Sequence, residues 1–272
     1  MSESLPLTPR RTDTGLLSTI RGQPPHIPDH ELLRCIGSGS YGEVWLARNV
    51  MGTYRAVKVI YRQTFSDERP YEREFNGIKK FEPVSRTHDD LIDILQVGRN
   101  DQDGCFYYVM ELSDDAVSAE KIDPATYEPK TLEREMLSRG RLPFEECLRL
   151  GLSLAAGLGH LHKHGLIHRD IKPSNIIFVN GIPKIADIGL VADVESSTSF
   201  VGTEGFIPPE GPGTVQADIY SLGKVLYEIS TGHDRQVFPE LPTQLEEISE
   251  QEEFLELNEV IIRACESDPH KR

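Results

Sequence analysis

Apolar and polar positions alternate in short runs from residue 32 onward. This period of two predicts β-strands over residues 32–36, 43–47 and 54–60. Glycine-containing turns separate the runs, at residues 37–42 and 49–52. Because short strands joined by tight turns pair with their neighbours, the sequence predicts an antiparallel meander.

A helical period follows the third predicted strand. Apolar residues recur near helical spacing over residues 70–81, and two further strands are predicted over residues 91–97 and 106–112 around a polar turn at residues 100–104. Strands first and helices later predict the α+β class, with a small antiparallel β lobe carrying one helix and a larger, mainly helical lobe. The helical patterns of the larger lobe cover residues 132–137, 144–164, 217–231 and 252–265.

The first 28 residues show neither period. Prolines lie there among Ser, Thr and Arg, a composition typical of a flexible tail. We therefore expect a tail over residues 1–28 and one folded domain over residues 29–272. Within that domain the small lobe is expected over residues 29–112 and the large lobe over residues 113–272.

Composition narrows the class of protein. A chain of 272 residues with 38% apolar and 27% charged residues can bury a substantial core. The formal net charge of -15 argues against a nucleic-acid partner, because phosphate backbones attract Lys and Arg. The most apolar helical pattern, at residues 148–161, is too short to cross a bilayer and contains Arg149 and His160. No membrane contact is therefore expected from this chain itself.

The four cysteines are widely scattered and form no C-x-x-C pair. This spacing predicts neither a zinc cluster nor a disulfide framework, so it favours reduced thiols in a cytoplasmic compartment. A longer parent protein tethered to a membrane beyond residue 272 stays an open alternative.

A glycine-rich segment reads IGSGSYGEV at residues 36–44 and contains G-x-G-x-x-G-x-V. Missing side chains let backbone amides approach phosphates closely. A dinucleotide-binding fold would need a helix at the third glycine, whereas residues 43–47 alternate like a strand. The glycines therefore predict a hairpin flap over phosphates, and an ordinary glycine hairpin is the alternative.

Lys58 lies within an apolar strand pattern, where burying an unpaired ammonium is costly. Glu74 on the next predicted helix is the preferred partner, because it precedes Phe75 on the expected buried face. Glu72 is a competing partner. Such a pair would fix Lys58 to hold the α- and β-phosphates of a nucleotide, while a lysine reaching off an edge strand is the alternative.

Residues 168–175 read HRDIKPSN, and an Asp-x-Gly triplet begins at Asp187 after one short strand-like stretch. Phosphoryl transfer needs a carboxylate facing the incoming hydroxyl and oxygen ligands for a metal that bridges the phosphates. Asp170 would accept or orient the hydroxyl proton, and Lys172 would neutralise charge at the transferred phosphate. Asn175 and Asp187 would hold magnesium.

Taken in order, these motifs resemble the eukaryotic-type (Hanks-type) serine/threonine protein kinase family, and the likeness is strongest to bacterial members. The resemblance implies ATP and magnesium as cofactors and Ser or Thr hydroxyls of proteins as acceptors. It makes Lys58 and Glu74 part of the catalytic set. The positions that match the family's nucleotide site are Ile36, Gly37, Ser38, Gly39, Gly42, Val44, Ala56, Lys58, Met110, Glu111, Ser113 and Ile177, with Met110 at the gatekeeper.

The serine/threonine branch is indicated by Lys172 and by Thr203 upstream of Pro209 and Glu210. By the same resemblance, Thr203, Glu210 and Arg272 anchor the segment that seats the substrate peptide. Asp218 resembles the buried anchor beneath the catalytic loop, and a final helix would follow Arg272.

Arg169 beside the catalytic Asp suggests regulation by phosphate on the activation segment, with two chains associating for trans-autophosphorylation. Ser199 matches the usual primary site best, and a polar loop with idle hydroxyls is the alternative. The candidate phosphosites are Ser196, Ser197, Thr198 and Ser199.

Two positions depart from the family pattern. Ile188 replaces the usual Phe after the metal-binding Asp, and Pro208 replaces the usual Ala. Two other functions stay open, a pseudokinase or nucleotide-binding scaffold and a small-molecule phosphotransferase with a kinase-like fold. Residues 202–210 argue against the second, because peptide kinases use this region to seat the residue after the target hydroxyl.

Overall fold

The computed structural model describes residues 24–39, 42–187, 192–193, 202–242 and 251–272. Its antiparallel sheet precedes its main helices, which confirms the predicted α+β class. The strands are β1 (His30–Gly39), β2 (Gly42–Asn49), β3 (Tyr54–Tyr61), β4 (Ile94–Asn100), β5 (Cys105–Met110), β6 (Leu166–Ile167), β7 (Ile176–Val179), β8 (Ile182–Ile185) and β9 (Ala192–Asp193). The helices are α1 (Glu68–Ser85), α2 (Leu132–Arg139), α3 (Phe144–Lys163), α4 (Val215–Thr231) and α5 (Gln251–Ala264).

The small lobe is a five-stranded sheet in the order β1-β2-β3-β5-β4, with antiparallel pairing throughout. Strand β3 is apolar on both faces, which is why its alternation is weak. Ala56 and Ile60 join the core cluster that includes residues of α1, whereas Val57 and Val59 join a second cluster. The sheet is therefore buried on both sides at its centre.

The second cluster corrects the predicted tail. Ile27 is only 1% exposed and packs in this cluster beside Tyr107. The His26 N–H donates to Asp103 Oδ2 at 3.2 Å, and Asn100 donates to the His26 carbonyl at 3.0 Å. The prediction of a flexible tail is therefore wrong for residues 24–28, because burial of one isoleucine outweighs the proline-rich composition.

Two predicted boundaries near the lobe junction also change. Strand β4 begins at Ile94, three residues later than expected, because Leu91 makes a parallel bridge with Ile185 of the large lobe. Strand β5 ends at Met110 rather than at residue 112. The apolar run at residues 91–97 is thus divided between the two lobes.

The large lobe is organised by α3 and α4. Helix α3 buries Cys147, Leu150, Leu154 and Leu158 at helical spacing. Helix α4 is buried over most of its length; the Thr214 hydroxyl caps its start. One core cluster includes residues of the small-lobe sheet, α1, α3 and α4, so the lobes share a continuous apolar contact.

The short strands β6, β7, β8 and β9 of the large lobe flank the residues expected to be catalytic. Strand β6 precedes residues 168–175, the hairpin of β7 and β8 follows them, and Asp187 lies two residues after β8. Sequence analysis expected a single strand-like stretch here. Across the described ranges, no helix combines the length and apolar character needed to span a membrane.

Candidate active site

Asp218 anchors the catalytic loop from below. Its carboxylate is fully buried and accepts the backbone N–H groups of His168 at 2.9 Å and Arg169 at 2.8 Å. His162 Nε2 lies 2.8 Å from the same carboxylate. Arg169 has φ +74°, a conformation unfavourable for a non-glycine residue, so these bonds hold a strained turn in place. The geometry agrees with the anchor role expected for Asp218.

The His168 ring ties the loop to the strand that leads to Asp187. Its Nδ1 accepts the Asp170 N–H at 3.3 Å, and its Nε2 lies 3.0 Å from the Ala186 carbonyl oxygen. Because Nδ1 is an acceptor and a carbonyl cannot donate, the proton belongs on Nε2. The buried imidazole therefore fixes the spacing between Asp170 and Asp187.

Asp170, Lys172 and Thr203 form a closed triangle of polar contacts. The Lys172 ammonium lies 2.7 Å from Asp170 Oδ2, and it donates to Thr203 Oγ1 at 2.8 Å. The Thr203 hydroxyl in turn donates to Asp170 Oδ1 at 2.8 Å. The catalytic loop and the expected substrate-seating segment thus meet at the carboxylate that sequence analysis assigned to proton handling.

Asn175 and Asp187 fit a divalent cation by their chemistry. The Asn175 amide donates to the Asp170 carbonyl at 2.8 Å and to Asp170 Oδ2 at 3.0 Å, so its carbonyl oxygen is turned outward. Asp187 supplies a carboxylate at φ +58°. Magnesium prefers such oxygen ligands and takes the rest of its shell from phosphates and water. Accordingly, no cage of three or more His, Cys, Asp or Glu occurs in the described part of the chain.

Lys58 makes its ion pair with Asp187, not with the expected Glu74. Burial opposes ionisation of Asp187, but the adjacent ammonium outweighs it and holds the pKa of Asp187 below its ordinary value. The predicted Lys58–Glu74 pair is therefore wrong as a contact of this conformation. The alternative partner, Glu72, instead binds Arg99 at 2.5 Å on the surface.

Glu74 nevertheless belongs to the same electrostatic cluster. Burial raises its pKa to about 8, Lys58 opposes the rise and Asp187 adds to it. Tyr108 lies directly opposite Lys58 in the β3–β5 pairing, and its buried hydroxyl interacts with the Lys58 ammonium without a hydrogen bond of normal geometry among the described residues. Sequence analysis missed Tyr108, although its place two residues before Met110 could have pointed to it.

The glycine-rich segment forms the end of the β1–β2 hairpin, as predicted. Gly37 pairs with Val44, Ser38 with Glu43, and Gly39 with Gly42. A side chain at Gly42 would begin 2.0 Å from the Val59 carbonyl oxygen, so the close approach of β2 to β3 requires glycine there. The tip residues Ser40 and Tyr41 lie outside the described ranges.

Four apolar residues expected at the nucleotide site belong to or pack against one core cluster. Ala56 pairs directly with Met110 across β3 and β5, and both join the shared core cluster. Val44 and Ile177 are partly buried and pack against that cluster from β2 and β7. The structure therefore gathers these four apolar side chains, whereas Ile36 lies further along β1.

The hinge, residues 111–113 after β5, is fixed by contacts to the large lobe. Lys184 donates to Glu111 Oε2 at 2.7 Å, and the same oxygen accepts the Asp93 N–H at 3.0 Å. The Ser113 hydroxyl lies 2.7 Å from the hydroxyl of buried Tyr127. Lys184 and Tyr127 carried no recognisable motif, so sequence analysis missed both.

The expected anchors of the substrate-seating segment are in place. Arg272 pairs with Glu210 through both nitrogens of its guanidinium, and Arg272 Nη2 lies 3.1 Å from Glu210 Oε2. Phe206 and Pro208 are buried beneath the segment. The candidate phosphosites Ser196, Ser197, Thr198 and Ser199, and the departure at Ile188, lie outside the described residues.

The α+β fold has two lobes, with the glycine hairpin and Lys58 in the small lobe and the triangle of Asp170, Lys172 and Thr203 in the large lobe. Asn175 and Asp187 add two oxygen groups that fit a divalent cation. This arrangement is that of a phosphotransferase of the protein kinase class. The comparisons with known proteins agree. The family model for the protein kinase domain matches residues 30–271, so the chain belongs to the protein kinase family.

Curated relatives specify the branch. A probable serine/threonine-protein kinase of Clostridium perfringens is 31% identical over 89% of this chain and 36% of its own length. The serine/threonine-protein kinase PrkC of Bacillus subtilis is 28% identical over 75% of this chain and 30% of its own length. PknA of Corynebacterium glutamicum is 30% identical over 90% of this chain and 53% of its own length. The chain is a protein serine/threonine kinase domain that spans a third to a half of these relatives.

Proposed function

We propose that this chain transfers the γ-phosphoryl group of ATP, with magnesium, to Ser and Thr hydroxyls of proteins. The triangle of Asp170, Lys172 and Thr203 supports this proposal most directly. It sets a carboxylate and an ammonium within 2.8 Å of one threonine hydroxyl, which marks where an incoming hydroxyl would meet the proton acceptor.

Each residue has a separate task in this mechanism. Asp170 orients the attacking hydroxyl and takes its proton, while the Lys172 ammonium offsets negative charge at the transferred group. The Asn175 carbonyl oxygen and the Asp187 carboxylate would hold magnesium. When bound, the cation neutralises phosphate charge and aligns the nucleotide. The Lys58 ammonium, which pairs with Asp187 and lies within electrostatic reach of Glu74, would also bind the nucleotide phosphates.

Phosphate transfer is tested with labelled ATP, magnesium and a generic protein substrate. Asp170→Ala should lower incorporation by about 10³-fold, because general-base and positioning effects are lost together. Lys58→Met should lower it strongly as well. Equal labelling in the native chain and both variants would contradict the proposal. ATP binding without any turnover would favour a scaffold, and turnover only on a small hydroxyl compound would favour a small-molecule phosphotransferase.

We further propose that the domain autophosphorylates on Ser196, Ser197, Thr198 or Ser199. Support comes from Arg169, which is 5% exposed and whose Nε and Nη2 have no hydrogen-bond partner among the described residues. A buried guanidinium gains charge-assisted bonds from a phosphate group. Mass spectrometry should find phosphate at these positions in the native chain and none in Asp170→Ala. A labelling rate rising with the square of protein concentration would show transfer between two chains.

We also assign the domain to a reducing, cytoplasmic compartment. All four cysteines are free thiols, and three of them are buried. Buried free thiols are typical of compartments where disulfides do not persist. Free-thiol labelling and peptide mapping on protein purified from its own cells, under denaturing conditions, should find all four of these cysteines reduced.

A further inference from the structure

The connection after the hinge, residues 114–131, is an ordered loop built on one carboxylate; we call it the post-hinge loop. Asp115 accepts the N–H groups of Val117 at 2.9 Å, Ser118 at 2.8 Å and Glu128 at 2.9 Å. Burial opposes its ionisation, but these bonds prevail and lower the pKa of Asp115 to about 2. The ionised carboxylate therefore closes the loop at neutral pH.

The post-hinge loop belongs mechanically to the large lobe. Asp114 accepts the N–H groups of Asn180 and Gly181, both at 2.8 Å, in the turn of the β7–β8 hairpin. The Phe178 carbonyl accepts the Asp114 N–H at 2.7 Å. Tyr127 is 1% exposed and sits against Ser113. Three bonds to the β7–β8 hairpin leave the loop little freedom to move separately from β7.

Arg34 reaches this loop from the other lobe. It lies in β1, two residues before Ile36 at the start of the glycine-rich segment. Its Nε donates to the Pro124 carbonyl at 3.1 Å, and its Nη2 donates to the Tyr127 carbonyl. The planar guanidinium group holds two N–H donors that point in different directions, so it can reach both carbonyls at once. The single ammonium of a lysine lacks this fixed geometry. The contact therefore joins the flap strand to a loop fixed on the large lobe.

A cavity of about 170 Å³ lies beside this contact. Its walls come from β1 and β2 on one side and from the post-hinge loop and α2 on the other, so its size reports the distance between the lobes. Cys35 lines it and is partly exposed, whereas the other three cysteines are buried.

We propose that Arg34 is an interlobe latch, a positioning residue that holds the glycine-rich strand over the nucleotide site and so raises nucleotide affinity. This role rests on the proposed function. Without the latch, the flap strand can move away from the post-hinge loop, and ATP must select the closed arrangement from a wider population. The latch acts on ATP affinity more than on kcat, because Asp170, Lys172 and Asn175 are fixed within the large lobe.

The test compares Arg34→Met and Arg34→Lys with the native chain. Arg48→Met serves as the matched control, since Arg48 lies in the neighbouring strand β2 and pairs with Glu31 on the exposed surface. Arg34→Met should raise the Kd and KM for ATP with magnesium by about threefold to tenfold while kcat changes less than twofold. Arg34→Lys should show most of the same loss, because it retains the charge without the fork. Arg48→Met should match the native chain.

Maleimide labelling of Cys35 gives a readout that needs neither ATP nor turnover. Opening the latch should speed labelling of Cys35 severalfold in Arg34→Met, with no change in Arg48→Met. Asp115→Asn, which loosens the loop without altering Arg34, should give the same increase. The two changes together should add little to either alone. Coupled effects of this kind would support the latch even where one variant is poorly folded.

Native-like melting of Arg34→Met with unchanged ATP affinity and unchanged Cys35 labelling would overturn the latch. Additive effects of Arg34→Met and Asp115→Asn would overturn it as well. If the native chain transfers no phosphate, the proposed function fails, while the Cys35 labelling rates still decide whether Arg34 holds the lobes together.

Discussion

The two halves of the active site differ in how their residues are held. In the large-lobe half, Asp170 bonds to Asn175, Lys172 and Thr203, and the backbone beneath it is bonded to Asp218. In the small-lobe half, the groups around Lys58 are held mainly by charge. Glu74 is partly buried with a raised pKa, and the Tyr108 hydroxyl lies beside Lys58 without a hydrogen bond of normal geometry among the described residues.

This difference indicates where the site is preorganised and where it rearranges. Hydrogen bonds to fixed backbone groups have one geometry, so the large-lobe half can meet a substrate without reorganising. Side chains in a charge cluster can exchange partners at low cost. Two carboxylates, Asp187 and Glu74, interact electrostatically with Lys58. Lys58 contacts Asp187, which is also the carboxylate that would bind magnesium. We therefore expect mutations to damage the two halves in different ways.

The largest effect is expected from Asp218→Asn. The amide keeps one acceptor oxygen, so the buried N–H of His168 or Arg169 loses its partner and the strained turn at Arg169 loses support. We expect the free energy of unfolding to fall by about 2–4 kcal/mol. Circular dichroism in urea measures this, and kcat should fall by at least tenfold. The same change at exposed Asp101 is the control; equal effects at both positions would refute a preorganised catalytic loop.

An intermediate effect, with a distinctive pH dependence, is expected from Glu74→Gln. Between pH 4.5 and about 8 the folded chain holds a proton on Glu74 that the unfolded chain releases, so this group makes stability fall as pH rises through that window. Glutamine mimics the protonated form at every pH. The stability of the variant relative to the native chain should therefore rise by about 1–2 kcal/mol from pH 5 to pH 8.5.

Glu72→Gln on the same helix is the matched control for this prediction. The bond to Arg99 lowers the pKa of Glu72, so its contribution is present at neutral pH and is lost in acid. Glu72→Gln should therefore be less stable than the native chain at neutral pH. The difference in stability should shrink as pH falls into the acid range, whereas the effect of Glu74→Gln appears as pH rises. Parallel pH curves for Glu74→Gln and the native chain would show that Glu74 is ionised in the folded state.

The same contrast explains what the sequence could predict. Residues 168–175 and Asp187 were assigned correctly to one place, because the motif and its spacing constrain the backbone on both sides. The partner of Lys58 was not predictable from helical spacing, which gives a face of α1 but not its distance from β3. The sequence favours Glu74 over Glu72, and Glu72 indeed pairs with Arg99, but Lys58 contacts Asp187 instead of either glutamate.

Elements without a hydrophobic period are also not predictable from the sequence. Strands β6 and β9 have two residues each, too short for alternation to be visible. The post-hinge loop has an ordinary polar composition, and its order comes from where Asp114 and Asp115 point after folding. Ile27 is a further example. A single apolar side chain in a proline-rich segment gives no periodic pattern, yet its burial fixes residues 24–28 on the sheet.

The smallest effect, and one of opposite sign, is expected from Tyr108→Phe. Removing a buried hydroxyl without a hydrogen-bond partner should raise the free energy of unfolding by up to about 1 kcal/mol. Tyr107→Phe, on the opposite face of β5, is the matched control: it removes a hydroxyl 3.5 Å from Gln96 Nε2 and should be neutral or slightly destabilising. Thermal unfolding of both variants and of the native chain measures these two changes in stability. If Tyr108→Phe is instead destabilising and weakens ATP binding, the hydroxyl works with Lys58, and the small-lobe half is more ordered than the unsatisfied groups indicate.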